Sequence, residues 1–91
     1  MFIVVAYDIS DDKRRTRLHK SLKRFGHPVQ ESVFEFHLNA TELLRLKDFV
    51  NRVIDPETDQ VRIYFICESC RRQTEATRPS RMTDDPFAVI V

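Results

Sequence analysis

The sequence predicts a single α+β domain in which two helices cover one face of an antiparallel β-sheet. Two apolar runs, at 2–8 and 61–67, are typical of strands that are covered on both faces. Two amphipathic segments, at 11–25 and 40–54, have apolar residues at helical spacing. The resulting order of strand, helix, extended segment, helix and strand is that of a split βαβ, ferredoxin-like sandwich.

The length of 91 residues suits one domain over 1–91. We divide it into a core at 1–68, a connecting segment at 69–86 and a terminal strand at 87–91. A chain of this length buries only about 60–65% of its unfolded surface, so association would stabilise it. The sequence has no apolar run that could span a bilayer and no secretory signal pattern, which predicts a soluble cytoplasmic protein without a membrane partner.

The first strand is predicted at 2–8, and its side chains alternate between two faces. They are Phe2, Val4, Ala6 and Asp8 on one face, and Ile3, Val5 and Tyr7 on the other. Two helices can cover only one face of the sheet. The apolar residues on the second face therefore predict a homodimer that packs sheet against sheet.

The first helix is predicted over about 11–25, with Ser10 as its N-cap and Gly26 as its C-terminal stop. Residues at helical spacing should form its buried stripe: Leu18, Leu22 and Phe25. The basic residues on its other side should face solvent: Lys13, Arg17, Lys20 and Arg24.

The middle of the chain is predicted to be extended over 28–38. The apolar phase changes near 32–34, which a bulge or sharp bend explains, so this is one bent strand or two short ones. Asn39 and Glu42 then form a capping box before the second helix, which should end near Ile54. Its predicted inner face consists of Leu43, Leu46, Phe49, Val50 and Val53.

After the strand at 61–67, residues 68–86 show no strong periodicity, and we expect a loop with at most a weak strand at 73–77. The last five residues, 87–91, are apolar and β-prone. Such a strand must pair with a sheet edge, either its own or a neighbour's.

Cys67 and Cys70 form one C-x-x-C motif, which is half of a zinc site. His19, His27 and His37 are not spaced to complete it, so zinc would require two chains, and we expect the histidines to face solvent. A redox pair would be expected at a helix start within a thioredoxin-like pattern, and that pattern is absent. We expect Cys67 to end the strand and Cys70 to lie in a turn.

The charge is segregated, although the net charge is only +1. Residues 13–24 contain seven basic residues and no acid: Lys13, Arg14, Arg15, Arg17, Lys20, Lys23 and Arg24. This pattern indicates a polyanion-binding surface. The alternative is an ordinary solvated helix face.

Asp8 ends the first strand, directly before this basic helix. A carboxylate is a hard ligand for Mg²⁺, and arginine side chains fit phosphate oxygens. The alternative, more common for such a pattern, is a capping turn in which Asp11 and Asp12 pair with the arginines. Arginine in a first helical turn opposes the helix dipole, so it requires either an acid or an anionic ligand.

Four motifs in register resemble the CRISPR-associated protein two family and span nearly the whole chain. The first is Tyr7-Asp8-Ile9-Ser10 with Arg14, Arg15, Arg17, Leu18, Lys20, Leu22 and Gly26, and the second is Val29-Gln30-x-Ser32-Val33-Phe34-Glu35. The third is Asp59-x-Val61-Arg62-Ile63-Tyr64 with Cys67-x-x-Cys70-Arg71-Arg72, and the fourth is Asp85-Pro86-Phe87 continuing to Val91. The chain departs from the family at 73–80, where a β-prone segment ending in glycine is usual.

The resemblance implies a homodimer whose C-terminal strand, 87–91, extends the partner's sheet. It also implies a role in CRISPR adaptation, in which the dimer binds duplex DNA and bridges two dimers of the CRISPR-associated integrase. Several members of the family are metal-dependent endonucleases that cleave RNA or DNA. We therefore expect a nuclease for single-stranded RNA, double-stranded DNA or both.

The resemblance also implies a site near the two-fold axis, where Asp8 of both protomers binds Mg²⁺ or Mn²⁺. The expected catalytic residues are Asp8, Tyr7, Ser10 and Arg15. The expected nucleic-acid contacts are Arg14, Arg15, Arg17, Lys20, Arg24 and Phe34. Tyr7 and Phe34 could instead be core aromatics.

Two other functions fit the residues. One is a non-catalytic DNA-binding scaffold in which Asp8 is structural and pairs with Arg15. The other is a toxin-like endoribonuclease that needs no integrase. An RNA-recognition module is disfavoured because no Lys/Arg-Gly-Phe/Tyr signature lies on a predicted strand.

Overall fold

The computed structural model describes residues 1–76 and 88–89, and its main feature is a four-stranded antiparallel sheet. The strands are β1 (Phe2–Asp8), β2 (His27–Gln30), β3 (Val33–His37) and β4 (Gln60–Ile66). Their order across the sheet is β2-β3-β1-β4. The helices α1 (Asp12–Leu22) and α2 (Ala40–Val53) connect β1 to β2 and β3 to β4. This confirms the predicted ferredoxin-like fold.

The core lies between the helices and one face of the sheet. In the strand register, Ile3 is opposite Phe36 and Val5 is opposite Phe34, and all four side chains are fully buried. The helices contribute the predicted residues Leu18, Leu22, Leu43, Leu46, Val50 and Val53. Each large apolar side chain buried in this layer contributes roughly 1.5–3 kcal/mol to stability.

The start of α1 differs from the prediction by one residue. Asp11, not Ser10, is the N-cap, and its carboxylate accepts a hydrogen bond from the backbone N–H of Arg14 at 2.9 Å. Both residue types cap helices well. The buried side chain of Ile9 fixes the chain just before the helix, and the cap falls two residues later.

The end of α1 also differs, because the helix stops at Leu22 and the chain turns over 23–25. Phe25 therefore leaves the buried stripe, and 62% of its surface is exposed. The prediction that Gly26 stops this helix is wrong: the C-cap is Lys23, and Gly26 is not in a left-handed conformation but lies where the chain packs closely against β3. A Cβ atom at Gly26 would lie 2.6 Å from the carbonyl oxygen of Glu35 and 2.7 Å from the ring of Phe36.

The extended segment at 28–38 is two strands, β2 and β3, which form an antiparallel hairpin. The turn at Glu31 and Ser32 explains the change of apolar phase, and the pairing is irregular between Pro28 and Gln30. The predicted capping box of α2 is confirmed, with reciprocal hydrogen bonds between Asn39 and Glu42.

The segment after β4 contains a helix that the sequence did not predict, α3 (Glu68–Gln73). The weak strand expected at 73–77 is reduced to β5 (Glu75–Ala76), which pairs in parallel with β6 (Ala88–Val89) of the same chain. The rest of the connecting segment, 77–86, lies outside the described residues, as do 87 and 90–91 of the terminal strand. The exchange of that strand with a partner stays a prediction.

The described residues cover the second face of the sheet at one end and leave the rest of it partly exposed. At the covered end, α3 places the Arg71 guanidinium 5.6 Å from the centre of the Phe2 ring, and both residues are buried. Farther along the same face, Val4 lies opposite Tyr64, which is 45% exposed, and Asp8 lies opposite Gln60. In the described part of the chain, no helix has the length and apolar character needed to cross a membrane.

Candidate functional site

Asp8 is the last residue of β1, and its side chain is exposed at the end of the second sheet face. Among residues 1–76 and 88–89, its carboxylate has no hydrogen-bond or ion-pair partner. The structural pairing of Asp8 with Arg15, expected for a scaffold, is therefore wrong. A free carboxylate keeps its lone pairs available for a cation.

Arg15 is held in the first turn of α1 by two other acceptors. Its Nη1 donates to the backbone carbonyl of Ile9 at 3.1 Å, and its Nη2 pairs with Asp12. The predicted alternative, in which acids of the first turn pair with the arginines, is therefore confirmed for Arg15 and Asp12. The side chain is still 47% exposed, and a guanidinium has five N–H donors, so donors remain for a ligand.

Tyr7, Asp8 and Arg15 meet in an open depression of about 620 Å³ between the end of β1 and α1. Lys20 also lines it. The full lining is Tyr7, Asp8, Ile9, Arg15, Thr16, His19, Lys20, Glu31 and Ser32. Four predicted site residues are therefore brought together, while the others lie outside this depression.

Arg14 is directed to a different partner. Its Nε and Nη2 donate to the two carboxylate oxygens of Asp59, at 2.9 and 3.2 Å. The Asp59 side chain is fully buried and also accepts a hydrogen bond from the backbone N–H of Asp55. The hydrogen bonds from Arg14 lower the pKa of Asp59, and the same pairing raises the pKa of Arg14. Contact of Arg14 with a nucleic acid stays a prediction.

His19 was expected to face solvent, and this is wrong. It is half-buried, its ring packs edge-on against Phe34 with centroids 5.1 Å apart, and its Nδ1 lies 3.2 Å from the Tyr7 hydroxyl oxygen. Both groups also reach the Glu31 carbonyl, at 3.1 and 3.0 Å. A carbonyl oxygen only accepts hydrogen bonds, so the Tyr7 hydroxyl or the His19 Nδ1–H must be the donor to Glu31. The four-residue spacing from Arg15 is the signal that could have placed His19 on this face.

The two aromatic candidates are both buried, with Tyr7 in the lining of the depression and Phe34 outside it. Phe34 is fully buried and stacks against Tyr7 with ring centroids 6.3 Å apart, so its identity as a core aromatic is confirmed. Tyr7 is 6% exposed, and burial raises the pKa of its hydroxyl, an effect that Arg15 opposes and Glu31 reinforces. Tyr7 is therefore protonated at neutral pH. Ser10 is exposed next to Asp8 but does not line the depression.

The basic surface continues from the depression along α1. Lys13, Arg17 and Lys20 are exposed and line an adjoining shallow groove with Asp12 and Thr16. Arg24 is also exposed, but it lies past the end of the helix, beside a separate groove next to α2.

A complete metal site is not present within one chain: no group of three or more His, Cys, Asp or Glu side chains in the described ranges could hold an ion. Asp8 offers a hard oxygen ligand without a partner among the described residues, and the exposed side chain of Glu31 is a second carboxylate in the lining of the same depression. Mg²⁺ keeps several waters and is often bound by one or two carboxylates together with substrate phosphates. The described residues of one chain therefore fit an ion only in part, and further ligands would have to come from water, a substrate phosphate or a second chain.

Comparison with known proteins connects this arrangement to a family. The model of the family described as CRISPR associated protein Cas2 matches residues 1–74. A protein of Chloroflexus aurantiacus named CRISPR-associated endoribonuclease Cas2 3 is 41% identical over 91 residues, covering 100% of this chain and 98% of that protein. A second from the same organism, CRISPR-associated endoribonuclease Cas2 1, is 46% identical over 76 residues, or 82% of each chain.

Solved structures agree with the fold. The crystal structure of Streptococcus pyogenes Cas2 has a TM-score of 0.75 and 30% identity, covering 84% of this chain and 98% of that one. A chain from a partial Cas6–RT–Cas1–Cas2 complex has a TM-score of 0.74, with coverage of 99% and 98%. At 21% identity, that second likeness supports the fold alone.

Proposed function

This chain belongs to the CRISPR-associated protein Cas2 family, and on that basis we propose that it acts in CRISPR adaptation as a homodimer. In this role the dimer binds double-stranded DNA and bridges dimers of the CRISPR-associated integrase. We propose further that it is a metal-dependent endonuclease. The names of its relatives favour RNA as one substrate.

The observation that supports the nuclease is the free carboxylate of Asp8 beside Arg15 and Lys20 in an open depression. Asp8 has no structural partner among the described residues, whereas the arginines next to it are held in place by other groups. The Asp8 carboxylate is therefore available to bind a metal ion, and Arg15 and Lys20 in the same depression are available to bind phosphate. This combination suits the cleavage of a nucleic acid.

In the dimer, the two Asp8 carboxylates would hold Mg²⁺ or Mn²⁺. When bound, the ion would supply an activated water and would neutralise charge on the scissile phosphate. Arg15 would bind a phosphate oxygen with its remaining N–H groups, in an orientation fixed by Ile9 and Asp12. Tyr7, protonated at neutral pH, would keep His19 and the Glu31 carbonyl in place behind the reacting group.

The exposed cations along α1 would bind the nucleic-acid backbone. Lys13, Arg17 and Lys20 form a continuous basic strip beside the depression. Contacts of this kind are independent of sequence and weaken as salt concentration rises. They suit both the DNA of adaptation and a nuclease substrate.

The partly open second face supports the homodimer. Val4 and Ala6 are only half-buried there, and Tyr64 is 45% exposed. Packing of two such faces would bury this apolar surface and bring the ends of the two β1 strands close enough to share an ion. The terminal strand, 87–91, would extend the partner's sheet at β4, which is an edge strand among the described residues.

The experiment is Asp8→Asn, with Asp48→Asn as the matched control on an exposed acid of α2. We expect Asp8→Asn to reduce Mg²⁺-dependent cleavage of single-stranded RNA and duplex DNA by roughly 100-fold or more, since a metal site contributes several kcal/mol. DNA binding should persist in both variants. Unchanged cleavage in Asp8→Asn would contradict the nuclease proposal.

A non-catalytic scaffold is the second candidate, because the described part of one chain does not form a complete metal site. It predicts DNA binding and capture of an integrase subunit without any cleavage that depends on Asp8. Failure to capture the integrase, together with RNA cleavage that depends on Asp8, would instead favour the toxin-like endoribonuclease.

A further inference from the structure

We infer that Cys67 and Cys70 form a reversible dithiol–disulfide pair, which low-molecular-weight disulfides of the glutathione class oxidise and the corresponding thiols reduce. The two residues lie where β4 passes into α3, away from the depression at Asp8. Both are free cysteines with exposed side chains, so a small reagent can reach them.

The structure places the pair at a helix start, which the sequence did not predict. Cys67 is the N-cap of α3, and Cys70 lies within the helix instead of in a turn. The sulfur of Cys67 accepts a hydrogen bond from the backbone N–H of Cys70 at 3.4 Å. The first sulfur is thus already folded back onto the residue that carries the second.

Closure of the disulfide requires only a local change. Residues three apart in a helical turn have Cβ atoms about 5–6 Å apart, and a disulfide brings them to about 3.5–4.5 Å. Tightening of a single turn can supply this difference. An exposed disulfide that retains some strain is readily reduced, which is why the pair is expected to be reversible.

The two thiols have different roles in the exchange. Hydrogen bonds from Cys70 lower the pKa of Cys67, and the same interaction raises the pKa of Cys70. The thiolate is the nucleophile in exchange, so Cys67 attacks first and Cys70 resolves the intermediate.

The step balances as follows. The Cys67 thiolate attacks one sulfur of the oxidant R–S–S–R, which forms a mixed disulfide and releases R–S⁻. The Cys70 sulfur then loses its proton, attacks the Cys67 sulfur and releases the second R–S⁻. The protons from the two cysteines convert both leaving groups to R–SH, so two thiols of the protein are oxidised and one small disulfide is reduced.

Oxidation would act on the placement of α3. Cys70 precedes Arg71, which is buried over Phe2 of β1 and pairs with Glu68. A disulfide across the first turn would tie this helix to the end of β4. It would therefore hold α3 in place over Phe2 on the second face of the sheet.

The test uses the full chain, Cys67→Ser and Cys70→Ser, each incubated with glutathione disulfide, quenched by alkylation and measured by intact mass. Wild type should lose two hydrogen atoms and take up no alkyl group. Cys70→Ser should accumulate one glutathione adduct because it lacks the resolving thiol. Cys67→Ser should react several-fold more slowly.

Three results of the glutathione experiment would overturn the inference, and a fourth, zinc binding, would do so as well. They are stable glutathione adducts on wild type, disulfides between chains in place of the internal bond, and equal rates for the two single variants. Zinc bound by the purified protein, with both thiols resistant to glutathione disulfide, would also overturn it and would assign the pair to a metal site shared between chains.

Discussion

Arg14 and Arg15 are adjacent in sequence but serve different parts of the molecule. Arg14 forms two hydrogen bonds with the buried carboxylate of Asp59 and so joins α1 to the loop before β4. Arg15 points the other way, toward the depression, and is held by Ile9 and Asp12. Two of the basic residues that suggest a polyanion surface thus differ in their availability to a ligand.

The Arg14–Asp59 pair makes stability depend on pH. The pKa of Asp59 in the folded chain is below its ordinary value of 3.8. The pair therefore stabilises the fold fully above pH 3.8, and this stabilisation is lost as the pH falls through the lower pKa of the folded state. We expect Asp59→Asn to reduce the urea midpoint by a clear amount at neutral pH. The difference from wild type should shrink as the solution is acidified below 3.8. An equal difference at every pH would contradict this role.

The centre of the candidate site could be predicted from the sequence, but its surroundings could not. Asp8 and Arg15 lie near each other because a helix starts directly after the strand, which is a local relationship. His19 joins the site through Tyr7 and the Glu31 carbonyl, and Glu31 comes from the hairpin turn across the sheet. Contacts between distant segments of this kind are fixed by tertiary packing and leave no pattern in a single sequence.

At the scale of elements, the boundaries were less predictable than the elements themselves. β1 has the predicted bounds, and α2 begins at its predicted capping box. The N-cap of α1 is one residue later than predicted, at Asp11, because Asp caps a helix as well as Ser does. The end of α1 was misjudged because Phe25 continues the apolar spacing although the chain has already turned.

The N-cap assignment can be checked with a matched pair of variants. Asp11→Ala removes the acceptor for the Arg14 N–H and should lower the free energy of unfolding by about 1 kcal/mol. Ser10→Ala should leave it nearly unchanged, because Ser10 is exposed and is not the cap. Urea denaturation at neutral pH measures both. A larger loss in Ser10→Ala would restore the cap predicted from the sequence.

The helix α3 was missed for a physical reason. It is only six residues long, which is too short for an apolar period, and its cap is a cysteine. Its stability comes from pairing of Glu68 with Arg71 and Arg72, and from the packing of Arg71 over Phe2. The second of these depends on a strand more than sixty positions earlier in the chain.

At the scale of the whole molecule, the two faces of the sheet differ in what covers them. One is covered by α1 and α2 and forms the core, and the fold follows from the order of the elements. The other is only partly covered by described residues and carries Asp8 at its end. Dimerisation and metal binding are therefore linked in the proposed function, because the same face supplies both.

The homodimer predicts the effect of a charge on that face. Tyr64→Glu would place a carboxylate in the buried interface, and we expect the dissociation constant to rise by roughly tenfold or more. Leu44→Glu is the matched control, since Leu44 is 67% exposed on α2. Sedimentation at micromolar concentration distinguishes them. A wild-type protein that stays monomeric under these conditions would contradict the dimer.

The central claim is that two chains share one ion through their Asp8 carboxylates. Titration of the full-length protein with Mn²⁺, monitored by calorimetry and combined with sedimentation, tests it most directly. The account predicts one ion bound per two chains, and loss of this binding in Asp8→Asn while the dimer persists. One ion per chain, or equal binding by Asp8→Asn, would contradict it.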